Sequence, residues 1–270
     1  MKEIYVRTLT GIVFLIVVIG SILLDPLAFF VVFSVFTFIG LKEFYKLARL
    51  SPNNKATPEY YLFGILIYAI VGLSGLGYID IRYSAIIFVI FFIQIARELF
   101  RKNNPQWKNI AAILTGYIYI SIPFGLMNSL FYSGAVGQPR IEILLGMFVI
   151  IWTSDVFAYL AGSMFGKHKL MERISPKKTW EGSIGGLFFS LIAAYILSLL
   201  VPQLSLVEWM ILTIIIVISG TLGDLVESLL KRNADVKDSG TIFPGHGGVL
   251  DRFDAVIFAT PMVFVYINLI

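Results

Sequence analysis

Trp209-Met210-Ile211-Leu212-Thr213-Ile214-Ile215-Ile216-Val217-Ile218-Ser219-Gly220-Thr221-Leu222-Gly223-Asp224-Leu225-Val226-Glu227-Ser228-Leu229-Leu230 contains no charge before Asp224 and then ends in an acidic and hydroxylic stripe. An uninterrupted apolar run of about 20 residues is what a helix needs to cross a bilayer. The chain offers nine such runs: Leu9–Leu24, Pro26–Leu41, Tyr60–Ile79, Tyr83–Ala96, Ile110–Phe131, Ile143–Ala161, Gly182–Val201, Trp209–Leu230 and Ala255–Ile270. Those beginning at Leu9 and Tyr83 are short for a full crossing and must borrow flanking residues or thin the bilayer. Composition agrees, with 270 residues, 58% of them hydrophobic and 14% charged, and a mean hydropathy of +0.86. So much apolar surface requires lipid as its solvent. The expected fold is an all-α polytopic membrane protein of about nine transmembrane helices. Five spans fall in residues 1–140, and four spans with two active-site loops fall in 141–270.

Lysines and arginines set the orientation, because cytoplasmic loops carry the excess of them. With nine helices, all but two of the 21 fall on one side, the exceptions being Arg82 and Arg140. The N-terminus is therefore expected in the cytoplasm, the C-terminus outside, and the protein in the cell inner membrane. The net charge of +4 follows from these juxtamembrane loops, so nucleic acid is not an expected partner. Absence of cysteine removes disulfide and thiol chemistry. Leu23-Leu24-Asp25-Pro26 offers no small-residue cleavage site, so the first run is expected to stay as a helix.

Ionisable groups at membrane depth are candidates for function, and here they gather in the C-terminal half. Asp155 is followed by Tyr159, Gly162 and Gly166 at steps that place all four on one helical face. Gly162 and Gly166 read best as a packing seam; Asp155 reads as functional, since packing needs no carboxylate. Asp224, Glu227, Ser228 and Lys231 form a second stripe. An internal Asp–Lys or Glu–Lys pair with snorkelling basic residues is its plain structural explanation, which accounts for Arg232 better than for Asp224, a turn or two deeper. The loop from Asn233 to Asp254 then combines glycines, which let backbone approach a ligand, with Asp251 and Asp254 three residues apart. With Asp224 these are hard oxygen donors of the kind Mg²⁺ takes when it also holds phosphates. Lys231, Lys237 and Arg252 would neutralise phosphate charge. His246 fits a base, a phosphate donor or a hydrogen bond in a tight turn equally well. Ser175-Pro176-Lys177-Lys178-Thr179-Trp180-Glu181-Gly182 adds a phosphate-site candidate at a helix start.

Ser228-x-x-Lys231-Arg232, Lys237-Asp238-x-Gly240, Pro244-x-His246-Gly247-Gly248 and Asp251-Arg252-x-Asp254, in that order, resemble the signature of the phosphatidate cytidylyltransferase, or CDP-diacylglycerol synthase, family. The Asp155 and Ser175–Gly182 segments resemble it too; the N-terminal half does so only in hydrophobicity. The resemblance implies Mg²⁺-dependent transfer of CMP from CTP to phosphatidic acid, giving CDP-diacylglycerol and pyrophosphate. Its expected partners are CTP, phosphatidic acid and the bilayer, with a homodimer left open. Expected metal ligands are Asp224, Asp251 and Asp254, with Asp155 as a further acidic wall or second-cation ligand. Lys231 and Arg252 would take the transferring phosphates. Substrate contacts are expected from Ser175, Lys177, Lys178, Thr179, Ser228, Arg232, Lys237, Asp238, His246, Gly247 and Gly248. Two rival classes are a CTP-dependent lipid kinase, which would release CDP, and an ion-coupled transporter, which should carry its acids near mid-bilayer in broken helices.

Overall fold

The structure is a computed structural model that describes residues 2–48, 57–100, 107–131 and 141–270. Arg49, Lys55, Arg101, Lys102 and Arg140, which enter the charge argument, lie outside the described residues. The helices are α1 (Lys2–Leu24), α2 (Pro26–Leu47), α3 (Pro58–Gly75), α4 (Ala85–Leu99), α5 (Trp107–Gly116), α6 (Ile122–Ser129), α7 (Ile141–Phe165), α8 (Trp180–Leu200), α9 (Leu206–Asn233) and α10 (Leu250–Leu269). A π-helical turn, Tyr117–Ser121, joins α5 to α6 into one rod. Pro123 explains that turn: it has no N–H to continue the i→i−4 ladder, so the preceding backbone rearranges. Counted as rods, the described helices correspond one for one with the nine predicted runs. Six of them (α2, α3, the α5–α6 rod, α7, α8 and α9) are long and apolar enough to cross a membrane.

Local chemistry sets the helix ends. Asp25 accepts the Leu27 N–H at 2.7 Å while Pro26 opens α2, and Ser205 with Glu208 closes a capping box on α9. Thr179 caps α8, its hydroxyl accepting the Gly182 N–H at 3.1 Å. The sixth loop departs from a purely helical expectation. It forms an antiparallel hairpin, β1 (Lys169–Met171) and β2 (Ser175–Thr179), with Lys169 opposite Thr179. Glu181 ties the hairpin down by accepting the N–H groups of Lys167 and His168, and its carboxylate lies 2.6 Å from His168 Nδ1. A three-residue strand has too little alternation to be read from sequence.

An aromatic core joins the two halves of the chain. Phe253 of α10 lies 5.4 Å, 5.4 Å and 5.3 Å, centroid to centroid, from Phe14 of α1, Phe33 of α2 and Phe124 of α6. These edge-on contacts suit the quadrupoles of the rings. Small residues set the spacing in the C-terminal half. A Cβ added at Gly182 would stand 2.7 Å from the Ala158 carbonyl, and one at Gly223 would collide with the Asp254 carbonyl. α7 and α9 thus approach α8 and α10 closely enough for their polar ends to meet.

Candidate active site

Between α7, α8, α9, the start of α10 and the hairpin lies a cavity of about 590 Å³. Asp155 enters it from α7, Asp224 from α9, and Asp251 and Asp254 from α10; Lys169, Lys177, Lys178 and Thr179 come from the hairpin. The helical face expected of α7 is present, since Asp155, Tyr159 and Gly162 border the cavity while Gly166 stands against Thr179. Asp251 and Asp254 share a face as their spacing requires. Ile151, Ile216 and Val217 make an apolar wall on the same cavity. Lys169 was absent from the residues expected in the site and is brought there only by its strand pairing.

The stripe on α9 divides into two pairs. Asp224 accepts a hydrogen bond from the Ser228 hydroxyl at 3.3 Å and an ion pair from Lys178 at 2.5 Å. Lys231 lies 2.5 Å from Glu227 and 2.7 Å from Asp251. The Glu–Lys pair considered from spacing alone therefore exists, but Asp224 takes its cation from the hairpin rather than from Lys231. Glu227 is 0% exposed and Lys231 15%; Lys231 is held between Glu227 and Asp251 and is not among the residues lining the cavity.

Asp251 has four donors within hydrogen-bond distance, one of them the Ser239 hydroxyl whose single proton Glu43 also approaches. Lys231 donates to Oδ1, while the Ser239 N–H, the Ser239 hydroxyl and the Gly248 N–H stand 2.8, 2.8 and 2.7 Å from Oδ2. The glycines of the loop face these carboxylates. A Cβ at Gly247 would meet Asp251, and one at Gly248 would meet Ser239 and Glu43. Gly247 also has φ of +84°, a backbone state that favours glycine. His246 lies beside α1, where a Cβ at Gly11 would be 3.6 Å from its ring, and its carbonyl accepts the Arg252 Nε–H at 2.9 Å. Ser175, Ser228, Arg232, Lys237, Asp238, His246, Gly247, Gly248 and Arg252 are not among the cavity-lining residues, and of these Arg232, Lys237, Asp238 and Arg252 are exposed.

Sequence reading missed Glu43. It ended the second apolar run at Leu41 and gave Glu43 no role, whereas α2 continues to Leu47 and buries Glu43 to 7% exposure. Its carboxylate accepts the Val249 and Leu250 N–H groups at 3.1 and 3.0 Å and the Ser239 hydroxyl at 3.0 Å. A helix boundary drawn two turns further would have been the only available signal.

The donor set suits Mg²⁺. No group of three or more acidic or histidine side chains among the described residues is close enough to form a closed metal cage. Mg²⁺ needs no such cage, because it is commonly held by one or two carboxylates together with substrate phosphates.

An apolar helical protein that gathers carboxylates and lysines around a cavity between its helices has the make-up of a membrane enzyme acting on polyanions. Residues 5–270 match the cytidylyltransferase family, and the chain belongs to that family; it is a nucleotidyltransferase and an integral membrane protein. It is 36% identical over 261 residues to the phosphatidate cytidylyltransferases of Staphylococcus saprophyticus and of Staphylococcus aureus, covering 96% of each chain. To that of Staphylococcus haemolyticus it is 35% identical over 263 residues, again with 96% of each chain covered. The family resemblance drawn from the loop motifs is thus borne out along the whole chain, including the N-terminal half where no motif was legible.

Proposed function

We propose that this protein transfers CMP from CTP to phosphatidic acid, giving CDP-diacylglycerol and pyrophosphate, at the cytoplasmic face of the membrane. The observation that carries this reading is the cavity in which Asp155, Asp224, Asp251 and Asp254 face Lys169, Lys177 and Lys178 beside an apolar wall. The lysines suit phosphates, and the wall suits the glycerol and first methylenes of a lipid. A phosphate monoester is already an anionic nucleophile. One of its oxygens attacks the α-phosphorus of CTP, a P–O bond forms, and the bond to the β-phosphate oxygen breaks with its electrons leaving on pyrophosphate. No general base is required; the demand is to hold two polyanions in line despite their repulsion. Lys177 and Lys178 meet that demand by charge, and Thr179 holds them at the α8 start. Asp155, Asp224, Asp251 and Asp254 are the candidates from which one or two would hold Mg²⁺ together with the substrate phosphates, and the bound ion would supply charge neutralisation for the triphosphate.

Placement of Asp251 at the start of α10 and of Lys169, Lys177 and Lys178 on the hairpin supports an enzyme over a transporter, which should carry its charged groups in paired broken helices. Purified protein with CTP, phosphatidic acid and Mg²⁺ should release pyrophosphate and form CDP-diacylglycerol in equal amounts. Release of CDP with a phosphorylated lipid would instead establish the lipid kinase. Exchange of labelled pyrophosphate into CTP by lipid-free enzyme would show a covalent enzyme intermediate and overturn direct transfer.

A further inference from the structure

We infer that Glu43 is a positioning residue for the reaction, acting from the N-terminal half of the chain on Asp251 and Asp254 through the first turn of α10. This rests on the transferase reading above. α10 begins at Leu250, and its N-cap position, Val249, offers no side-chain acceptor. The first N–H groups of a helix need partners from elsewhere when the local sequence supplies none. Glu43 supplies them from α2, accepting from Val249 and Leu250. Its carboxylate takes the N–H groups at the very start of α10, with a charge that the α10 dipole favours.

The second connection is Ser239. Its hydroxyl lies 3.0 Å from Glu43 Oε2 and 2.8 Å from Asp251 Oδ2, and a hydroxyl has a single proton to share between them. One small side chain thus ties the α2 carboxylate to the cavity carboxylate. The loop is built around this contact: a Cβ at Gly240 or Gly248 would collide with Glu43. Glu43 does not border the cavity, so its influence is on where the α10 carboxylates stand. Asp251 lies in the first turn that Glu43 caps and Asp254 begins the next turn of the same helix, and displacement of reacting groups by about 1 Å costs on the order of 10²-fold in rate.

The test is a double-mutant cycle with Glu43→Gln and Ser239→Ala, reading kcat, KM for each substrate and melting temperature in detergent. Wild-type synthesis of CDP-diacylglycerol is measured first; if wild type makes none, the transferase reading fails and the positioning claim has no reaction to act on. Given an active wild type, Glu43→Gln should lower kcat by about 10- to 100-fold with KM for phosphatidic acid little changed. Ser239→Ala should cost much less in the Glu43→Gln background than alone, because both act through one contact. Costs in kcat that simply multiply, or near-normal kcat in folded Glu43→Gln, would overturn the inference. If Glu43→Gln does not accumulate, amide hydrogen exchange decides on wild type and Ser239→Ala. Protection of Val249 and Leu250 matching the α10 interior supports the cap, and exchange as fast as an exposed loop overturns it.

Discussion

At the scale of single residues, the structure separates charges that sequence spacing had grouped together. Asp224 meets Lys178 beside the cavity, with side chains 34% and 27% exposed, so neither depends on the other for burial. Asp224→Asn keeps the shape and removes a charge, and is expected to collapse turnover while melting stays near that of wild type. Lys178→Met removes a donor facing phosphate and is expected to cost about 10²–10³-fold in kcat. Raising Mg²⁺ should partly restore Asp224→Asn and leave Lys178→Met unrestored. Near-normal turnover in either variant would remove that residue from the site. Lys231 behaves oppositely. Lys231→Met leaves Glu227, 0% exposed, without its cation, and breaking a buried pair costs about 3–5 kcal/mol. The expected outcome is poor yield and a lowered melting temperature. Glu227→Gln combined with Lys231→Met should recover part of the stability, because the charge stranded at Glu227 is gone while Asp251, which also pairs with Lys231, still lacks its cation.

Among the elements, α8 and α10 show two ways of starting a helix beside a cavity. α8 carries its own cap, Thr179, at the end of β2, so the strand that bears Lys177 and Lys178 leads directly into the helix that anchors it. Thr179→Val keeps the volume and loses the cap. A stability loss of about 1 kcal/mol with a larger fractional loss in turnover is expected, measured by thermal melting and pyrophosphate release. Equal losses in both would mean that the hairpin position is immaterial to the reaction. α10 has no such local residue and is capped from α2. Close packing positions its other face: Gly223 of α9 lies against the Asp254 carbonyl, where any side chain collides. Gly223→Val is therefore expected to push α10 off α9 and abolish accumulation of folded protein, read as detergent-extracted yield.

For the whole molecule, topology is the quantity that decides which face holds the cavity. The charge distribution predicts that Lys46 and the β1–β2 hairpin lie on the cytoplasmic side and that Gln203, between α8 and α9, lies outside. Single cysteines at Lys46 and Gln203, in a chain that has no cysteine of its own, should react with an impermeant reagent from opposite sides of sealed cells. Labelling of both from outside would overturn the orientation. The N-terminal half also acquires a task. Its aromatic contacts with Phe253 and its carboxylate at Glu43 hold the helix that carries Asp251 and Asp254, so removal of α1–α6 would leave that helix without its cap.

The helical class, the approximate positions of the nine rods and the acidic and basic segments of the site were legible in the sequence because each is a one-dimensional signal. Apolar run length reports lipid crossing, and steps of three and four report a shared helical face. That is why Asp155 with Tyr159 and Gly162, and Asp251 with Asp254, fall on the faces expected of them. Partner choice is a three-dimensional quantity. Lys231 is four residues from Glu227, but its contact with Asp251 spans 20 positions, and the contacts of Glu43 with Val249 and Leu250 span 206 and 207. No spacing rule reaches so far, so only the packing of α2 against α10 and of the hairpin over α9 decided which carboxylate faces the cavity, which holds a lysine and which caps a helix.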